Sequence, residues 1–533
     1  MMSAPTYEEL SAEDRSFLIA EGENTHMNVG GPTIFETGDL STPEGGIDSE
    51  RIRAHVASRL QAIPRYRQRL AYTPVFNRPV WVDDTDFNLN YHIRHMSLPR
   101  PGTERQLKRL TAWILCQHLD RRKPLWELWI VEGVEGGRFA LVCKVHHCMT
   151  DGVSGVELLS ALLGFTAEET IPTPAAWTPR PTPSWGELLT DEVSRQVKAP
   201  LALARRLGRL WQEPDRAQAE LQHSVGAVWD LITAGMHGAA STPLNRPIGP
   251  YRRFDWLSMD LAEVKQIKNA LGGTINDVVL TTVAGALRRL FEQRRVNVDV
   301  LDYRAAVPVN VRAPEERTRM GNRVSAWLAS LPLHERDPRR RFVAVHNMTA
   351  DLKASRQARG AEALLELAEW AGPTLFGLGV QMVGLMQPYN IIVTNVAGPQ
   401  VPLYLLGAQM VAGYPVVPLF ENQGLGVALF SYNGQLCWGF NADWDLVPDL
   451  HDFVAGVARS FRELCAAARG VEVRAVEATR TAPVRKPRRR RQAAAQRHGR
   501  SIVASVGPTI GHANGDGGSP QSRRSEERST RRE

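Results

Sequence analysis

Two apolar, strand-like runs separated by a glycine-rich segment place the strongest constraint on how this chain folds. The runs extend from Trp126 to Val131 and from Phe139 to Val145, and residues 132–137 between them read Glu-Gly-Val-Glu-Gly-Gly. Two such runs joined by a short glycine-containing segment predict a β-hairpin. From Val153 to Leu163 the apolar residues recur near a helical period, so a helix is expected next.

The second predicted strand ends in a motif of the form HHxxxDG, made by His146, His147, Asp151 and Gly152. The motif combines a base that titrates near neutral pH, a carboxylate and a tight change of chain direction. Alternation along the strand predicts that the two imidazoles point to opposite faces, one toward a substrate and one toward structure. A buried histidine pair satisfied by backbone carbonyls is the alternative interpretation.

The length and composition narrow the class of protein. A chain of 533 residues is expected to form two or more domains with apolar cores. The first twenty residues resemble no secretory signal, and no uninterrupted run of 18 apolar residues predicts a spanning helix. The odd number of cysteines, without metal-type spacing, predicts reduced cytosolic thiols and no metal site. These cysteines are at positions 116, 143, 148, 437 and 465.

The positive charge is concentrated near the carboxyl end. Residues 471–533 contain 15 Lys or Arg and 6 Asp or Glu, a local charge of +9 against +7 for the whole chain, which leaves the other residues at −2. The basic run Arg485–Arg491 and the content of Gly, Ser and Pro predict a disordered tail. Such a tail could bind anionic lipid headgroups or nucleic acid, or be solvated without a specific role.

The pattern along the chain predicts four regions. They are a first domain over 1–170, a proline-rich and helical linker over 171–249, a second domain over 250–468 and a basic disordered tail over 469–533. The prolines between residues 172 and 183 exclude a regular helix or inner strand there. In the second domain we expect a helix over Val278–Arg289 and strands over Ala305–Val309, Asn390–Asn395 and Gly426–Phe430. Both domains are therefore predicted to be mixed α/β.

Two stretches suggest contact with lipid. Leu201–Trp211 has leucines and a tryptophan on one helical face and three arginines on another, as in a helix that lies in a membrane interface. A linker helix docked on the protein is the alternative. Leu375–Met386 is apolar but too short to span a membrane, and we expect it in a core or in the wall of an acyl pocket.

A second polar constellation opens the helix predicted in the second domain. Thr274 is a plausible helix cap, and Asp277 in the first turn suits the helix dipole. Asn276 could offer an amide donor to a cleft. Residues of this type at a helix start are mostly caps, so the pattern alone is a weak functional signal.

The HHxxxDG motif followed by Asn276-Asp277 resembles the bacterial wax ester synthase/acyl-CoA:diacylglycerol acyltransferase family. The similarity extends over most of residues 7–465, and its short matches occur in the family's order. The matching segments are Pro64–Leu70, Trp81–Asp84 with Phe87, Tyr91 and His92, Leu119–Glu127, Val307–Arg312, Gly321–Arg323, Ser431–Gly434 and Ala442–Asp443.

The resemblance implies an α/β (α+β) fold of two chloramphenicol-acetyltransferase-like domains that form a V, with an active-site tunnel at their interface. It also implies an acyl-CoA donor, used as a substrate without a further cofactor, and a diacylglycerol or long-chain alcohol acceptor. The expected location is cytoplasmic, with peripheral association with the inner face of the membrane or with lipid inclusions. Nucleic acid is not an expected partner.

The family likeness assigns roles to the site residues. His147 would act as general base on the acceptor hydroxyl, and Asn276 is the candidate donor to the oxyanion. Asp151 would be structural and pair with Arg312, while His146 and Gly152 shape the turn. Because no serine or cysteine lies in a recognisable nucleophile elbow, direct transfer is expected rather than an acyl-enzyme. Cys148 beside the base is the disfavoured alternative nucleophile.

Two positions depart from the family pattern, and two other functions stay open. Asn28 stands where a histidine is usual, and Ala397 where a proline is common. A condensation-type acyltransferase that uses carrier-protein thioesters is one alternative. A non-catalytic lipid-binding or scaffold protein on the same fold is the other, which the intact His147, Asp151 and Asn276 disfavour.

Overall fold

Two six-stranded sheets, each packed with helices, form most of the described chain. The computed structural model describes residues 6–149, 157–168, 171, 173, 176–194, 238–310, 324–354 and 388–481. The described residues up to Thr479 belong to one compact unit.

The helices follow one another along the chain with the following bounds: α1 Ala12–Ala20, α2 Ser49–Arg59, α3 Leu89–His92, α4 Glu104–Leu115, α5 Glu157–Leu162, α6 Leu261–Leu271, α7 Ile275–Gln293, α8 Pro338–Ala354 and α9 Leu450–Thr481. Residues 185–194 are also helical. The strands are β1 Tyr7–Glu9, β2 Asn28–Glu36, β3 Gln68–Tyr72, β4 Pro79–Asp83, β5 Ile93–Ser97, β6 Trp126–Val134, β7 Arg138–His146, β8 Arg252–Asp260, β9 Tyr303–Asn310, β10 Val324–Leu331, β11 Ile391–Ala397, β12 Tyr404–Leu405, β13 Ala408–Gly413, β14 Leu425–Tyr432 and β15 Gln435–Asp443.

The first sheet confirms the predicted hairpin. Strands β6 and β7 pair antiparallel, with residues Glu135–Gly137 at the turn between them. The strand order is β12-β13-β2-β7-β6-β5, so two strands from late in the chain extend a sheet built from its beginning. A separate small sheet has the order β1-β4-β3.

The second sheet contains the strands predicted in the carboxyl-terminal half of the chain. Its order is β10-β9-β11-β14-β15-β8, and β11 lies parallel to both of its neighbours. The predictions for Ala305–Val309, Asn390–Asn395 and Gly426–Phe430 are confirmed as β9, β11 and β14 to within a few residues.

The helix predicted over Val278–Arg289 is confirmed as α7, and its start is set by local chemistry. Gly272 ends α6 with a left-handed φ of +77°, a conformation that glycine adopts without steric cost. Thr274 then caps α7, and its side chain and that of Asp277 satisfy each other's backbone amides in a capping box. Cap and turn together place the half-buried Asn276 in the first turn of a largely buried helix.

Three apolar clusters link these elements. One fills the first sheet and its helices, and a second surrounds α7 beneath the second sheet. A third cluster combines residues of α4, β6 and β7 with Trp256 of β8. At its edge Lys108 lies 4.7 Å from the Trp256 ring centroid and 2.6 Å from Asp255. The two sheets are thereby held together by buried contacts.

Helix α9 continues past residue 468, the position at which composition places the start of the tail. Among the described residues, no single helix has the length and apolarity needed to cross a bilayer. Helices α6 and α7 reach that threshold only when taken together, and a bend of 97° separates them.

Several predictions concern residues that the structure does not describe. The basic amphipathic stretch Leu201–Trp211, the apolar stretch Leu375–Met386 and residues 482–533 of the tail lie outside the described ranges, as do three predicted site residues, Asp151, Gly152 and Arg312. The domain boundaries near residues 170, 249 and 468 stay predictions.

Candidate active site

The chain turns sharply at the end of β7, and this turn carries the two histidines of the motif. Residues His147–Met149 form one turn of 3₁₀ helix directly after His146. The backbone amide of His147 donates to the carbonyl of Met27 at 2.7 Å. Its imidazole stacks on the ring of Phe17 in α1, with 3.8 Å between centroids and 14° between planes. Helix α1 and the segment before β2 thus hold the ring in place.

The environment of His147 keeps its imidazole uncharged. The residue is half-buried, whereas its neighbours His146 and Cys148 are buried. Burial lowers the pKa of His147 to about 4, and the adjacent His146 acts in the same direction. An imidazole with this pKa is neutral near pH 7 and can accept a proton.

His146 occupies a different, fully enclosed environment, as the strand alternation predicts. Its Nδ1 accepts from the backbone amide of Cys148 at 3.1 Å, and its Nε2 lies 3.4 Å from Glu21 Oε1. Arg121 donates to the other oxygen of Glu21 at 2.6 and 3.0 Å. Burial alone would raise the pKa of the Glu21 carboxyl, but His146 and Arg121 lower it to about 2. Glu21 is therefore an anionic anchor for His146 and the turn.

Sequence reasoning missed Phe17, Glu21 and the role of Arg121. Phe17 and Glu21 lie in and just after α1, far from the motif in sequence and without a motif of their own. Arg121 belongs to a segment that resembles the family, which marks the segment but not its contact with Glu21. A charged residue at the end of a short amphipathic helix is ordinarily solvated, so no local signal distinguishes Glu21.

The cysteines provide no activated thiol among the described residues. All five are free, four are buried, and Cys465 is half-buried. Burial raises the pKa of the Cys148 thiol well above its ordinary value, and nearby carboxylates add to the effect. Because the thiolate is the nucleophile, this environment argues against an acyl-cysteine intermediate.

The departure at Asn28 has a structural role. Asn28 lies opposite His146 in the pairing of β2 and β7, and its Nδ2 donates to the carbonyls of Leu115 and Gln117 at 2.9 Å. Two residues later, a Cβ on Gly30 would lie 2.2 Å from the Cys143 carbonyl oxygen. The start of β2 thus ties the histidine turn to the end of α4.

The two residues of the second predicted site, Asn276 and Asp277, have different environments. Asp277 is fully buried, and its carboxylate accepts from the Thr274 amide at 2.8 Å and from the Thr349 hydroxyl at 2.6 Å. His346 Nδ1 lies 2.9 Å from the same carboxylate. Burial would raise the pKa of Asp277, but these hydrogen bonds lower it overall. Asp277 is thus a structural anchor between α7 and α8.

Asn276 is half-buried, and Asn395 orients its side chain, a contact that the sequence analysis did not predict. Asn395 of β11 donates through Nδ2 to Asn276 Oδ1 at 2.8 Å. With Oδ1 engaged, the Asn276 amino group faces away from Asn395, and it has no hydrogen-bond partner among the described residues. The amide is therefore arranged as a donor.

The histidine turn and the strand that carries Asn395 contact one continuous apolar cluster. Asn395 is opposite Leu429 in the pairing of β11 and β14. The next residue of β14, Phe430, is buried in the cluster that also contains Phe17 and Met149. The histidine turn and β11 thus contact the same apolar cluster, whereas the predicted partners Asp151 and Arg312 lie outside the described ranges.

Within the described ranges, no group of three or more His, Cys, Asp or Glu is arranged to hold a metal ion.

Two family models match this chain. The catalytic domain of wax ester synthase/diacylglycerol acyltransferase matches residues 10–279, and the carboxyl-terminal domain of the same family matches residues 320–465. Both predicted constellations, His146–His147 and Asn276–Asp277, lie in the first of these matches.

Two relatives from Mycobacterium tuberculosis are named as diacylglycerol O-acyltransferases. One is 32% identical over 468 residues, which cover 86% of this chain and 90% of the relative. The other, named a probable diacylglycerol O-acyltransferase, is 31% identical over 466 residues, covering 86% of this chain and 96% of the relative.

Solved structures share the fold. A wax ester synthase/diacylglycerol acyltransferase from Marinobacter aquaeolei is 24% identical, with a TM-score of 0.62 and coverage of 86% of this chain and 99% of that one. The first condensation domain of the CDA synthetase is 16% identical, with a TM-score of 0.53 and coverage of 88% and 97%. These likenesses confirm the predicted two-domain α/β fold.

Proposed function

The chain belongs to the wax ester synthase/diacylglycerol acyltransferase family, and from this premise we propose that it transfers a long-chain acyl group from acyl-CoA to the hydroxyl of diacylglycerol. Relatives that align over most of their length carry the name of this activity. Long-chain alcohols are the second proposed acceptor, which would make wax esters.

The observation that carries the proposal is the state of His147. Its ring is half-buried, stacked on Phe17 and neutral, because burial lowers its pKa to about 4. A neutral imidazole held in fixed orientation beside an apolar cluster suits proton abstraction from a lipid hydroxyl.

The proposed reaction is a direct transfer. His147 takes the proton of the acceptor hydroxyl as its oxygen bonds to the thioester carbonyl carbon, forming a tetrahedral intermediate. The carbon–sulfur bond then breaks, and the imidazolium returns the proton to the CoA thiolate. The base is thereby regenerated, and the products are an ester and free CoA. The high pKa of Cys148 supports a route without an acyl-enzyme.

Asn276 is the proposed donor to the oxyanion of that intermediate. Its orientation by Asn395 supports this role, because a donor held in advance needs no reorganisation when charge develops. Asp277 supports it indirectly by fixing the helix start.

The Asp151–Arg312 pair stays a structural prediction, with Gly152 completing the turn. Loss of either charged side chain is expected to lower both the melting temperature and activity. Unchanged melting temperatures in Asp151→Ala and Arg312→Ala would remove this assignment.

The test of function is an assay with purified protein, labelled palmitoyl-CoA and diacylglycerol, with His147→Ala in parallel. We expect labelled triacylglycerol and free CoA in equal amounts from the wild type and a rate lower by about 10²–10⁴-fold from the variant. Equal rates would remove His147 as the base, and no product with any lipid alcohol would reject the proposal. Hexadecanol supplied with diacylglycerol at matched concentration measures the acceptor preference.

We further propose that the chain works at the surface of a membrane or lipid inclusion. The apolar acceptor and the basic run Arg485–Arg491 support peripheral attachment to anionic lipid. Flotation with anionic liposomes is expected to weaken on truncation after Thr481. Glutamates at Arg205, Arg206 and Arg209 test the stretch Leu201–Trp211 separately. Undiminished flotation of both variants would reject these two attachments.

A further inference from the structure

A cavity of about 280 Å³ lies beside the carboxyl-terminal half of α7, and arginines dominate its lining. The side chains come from α7, from α8 and from the segment that joins β10 to α8. The lining residues are Gly285, Arg288, Arg289, Glu292, Arg336 and Arg341.

Arg341 is the most unusual of these side chains. It is 2% exposed, yet it has no carboxylate within 4 Å among the described residues. Its Nη1 donates to the Glu335 carbonyl at 3.0 Å, while its Nε is buried without a hydrogen-bond partner in the described part of the chain. Burial lowers the pKa of this guanidinium. The carboxylates of Glu463 and Glu335 act on it in the opposite direction without contacting the guanidinium. A buried cation without a contacting carboxylate is costly, so the site favours an anion.

Two carboxylates near the cavity are already paired with lining arginines. Glu292 lies 2.5 Å from Arg288, and Glu463 forms an ion pair with Arg289. Arg336 is exposed and forms no ion pair with any described residue. Two of the four lining arginines are thus paired with a carboxylate, whereas Arg336 and Arg341 have none in contact among the described residues.

A buried hydroxyl lies behind the cavity wall at Gly285. A Cβ at Gly285 would lie 2.7 Å from Arg341 Nη2 and 2.2 Å from Ser460 Oγ, so the glycine lets both groups approach α7. Ser460 is fully buried, and its Oγ has no hydrogen-bond partner among the described residues. The guanidinium groups that line the cavity suit a tetrahedral oxyanion.

The cavity is distant from the proposed acyl-transfer residues. Gly285 is the lining residue of α7 nearest to Asn276, and the nine residues from one to the other correspond to about 14 Å at 1.5 Å per residue. An anion in the cavity would therefore not contact the proposed oxyanion donor.

We propose that this cavity is a binding site for a phosphate dianion, either free or as the terminal phosphate monoester of a larger molecule. The unpaired Arg341 and Arg336 supply the charge, and the exposed Arg336 marks the side from which the ligand enters. The proposal is independent of the acyl-transfer chemistry, and its test is a binding measurement.

The experiment titrates the full-length protein with inorganic phosphate at constant ionic strength and pH 8, by calorimetry and by thermal unfolding. We expect saturable binding and a melting temperature that rises with phosphate. Arg336→Gln is expected to weaken binding at least about tenfold, as loss of one charge-assisted hydrogen bond implies. Arg339→Gln is the matched control, because Arg339 is exposed in the same region but does not line the cavity. Its affinity should equal that of the wild type.

Arg341→Gln is expected to abolish phosphate binding if this variant folds. If it does not fold, the affinity of Arg336→Gln is the test of the proposal. Absence of saturable binding, or equal affinity in the wild type and Arg336→Gln, would overturn the proposal. Competition by CoA but not dephospho-CoA would identify a nucleotide 3′-phosphate as the source. Competition by phosphatidate vesicles but not phosphatidylcholine vesicles would identify a lipid, and competition by neither would identify free phosphate.

Discussion

Each half of the described chain contains two consecutive polar residues, of which one is buried as a structural anchor and the other is only half-buried. In the first half His146 is buried, whereas His147 is half-buried. In the second half Asp277 is buried, whereas Asn276 is half-buried. The order is reversed, because the first pair ends a strand and the second begins a helix.

The two anchors differ in how they are satisfied. Asp277 has polar contacts of 2.6–2.9 Å to three residues, of which Thr274 belongs to its own helix cap. His146 instead relies on the charge of Glu21 at 3.4 Å, from a distant part of the chain. We infer that Asp277 contributes mainly to stability, whereas the histidine turn depends on a charge network and contributes mainly to rate.

The largest expected effect separates the two histidines. His147→Gln should lower the acyl-transfer rate by about 10²–10⁴-fold with little change in melting temperature, because it removes a half-buried proposed base. His146→Gln should lower the melting temperature, because it removes the partner of the Glu21 carboxylate. The measurements are initial rates and thermal unfolding, with His334→Gln as a control at an exposed histidine. Equal loss of rate in both variants without unfolding would contradict the separate roles of His147 as base and His146 as structural residue.

The next effect concerns the half-buried residue of the second pair. Asn276→Ala should lower kcat by about 10²–10³-fold, the loss measured for a single oxyanion donor, while KM changes little. Asn395→Ala should lower it only about fivefold, since it removes a neutral hydrogen bond that orients the donor. Steady-state kinetics test both variants. A larger loss of kcat in Asn395→Ala than in Asn276→Ala would show that Asn276 is not the main donor.

The anchor of the second pair should respond in stability. Asp277→Asn places an amino group among donors, and we expect the free energy of unfolding to fall by about 1–3 kcal/mol. Thr349→Val removes one of these hydrogen bonds and should cost about 1 kcal/mol. Denaturant unfolding measures the change, and the rate of folded protein should fall less than in Asn276→Ala. Unchanged unfolding in Asp277→Asn would contradict the anchor role.

Changes of pH near neutrality should have the smallest effect on acyl-transfer activity. Because the pKa of His147 is lowered to about 4, kcat/KM should stay nearly flat from pH 8 to about pH 5 and fall below it. An acidic limb centred near 6.5 would show that the base is more solvated than described.

As the pH is lowered, the free energy of unfolding should begin to fall at a higher pH than the activity does. Burial lowers the pKa of His26 to about 3 and that of His92 to about 4. Between these values and about 6.5 the unfolded chain binds protons that the folded chain does not, so stability is full above 6.5 and falls as the pH decreases. Each histidine contributes up to about 1.4 kcal/mol per pH unit in this range. Denaturant unfolding between pH 7 and 5 measures the slope, and a flat profile would contradict it.

Elements with a strong local pattern were predictable, and contacts between distant elements were not. The hairpin of β6 and β7 follows from alternation around a glycine-rich turn, and the start of α7 follows from the Thr274 capping box. The addition of β12 and β13 to the first sheet has no such pattern, because pairing of distant strands depends on how whole elements pack.

The sequence by itself determined the motif, the family likeness and the opposite directions of the two imidazoles, since these depend on neighbouring residues and on strand periodicity. Only the tertiary structure decided that Glu21 faces His146 and that Asn395 orients Asn276. It alone also placed Arg341 at a cavity, buried and with no carboxylate within 4 Å of it among the described residues. The physical reason is that burial and distance set the strength of charges and hydrogen bonds, and both arise only when remote segments pack together.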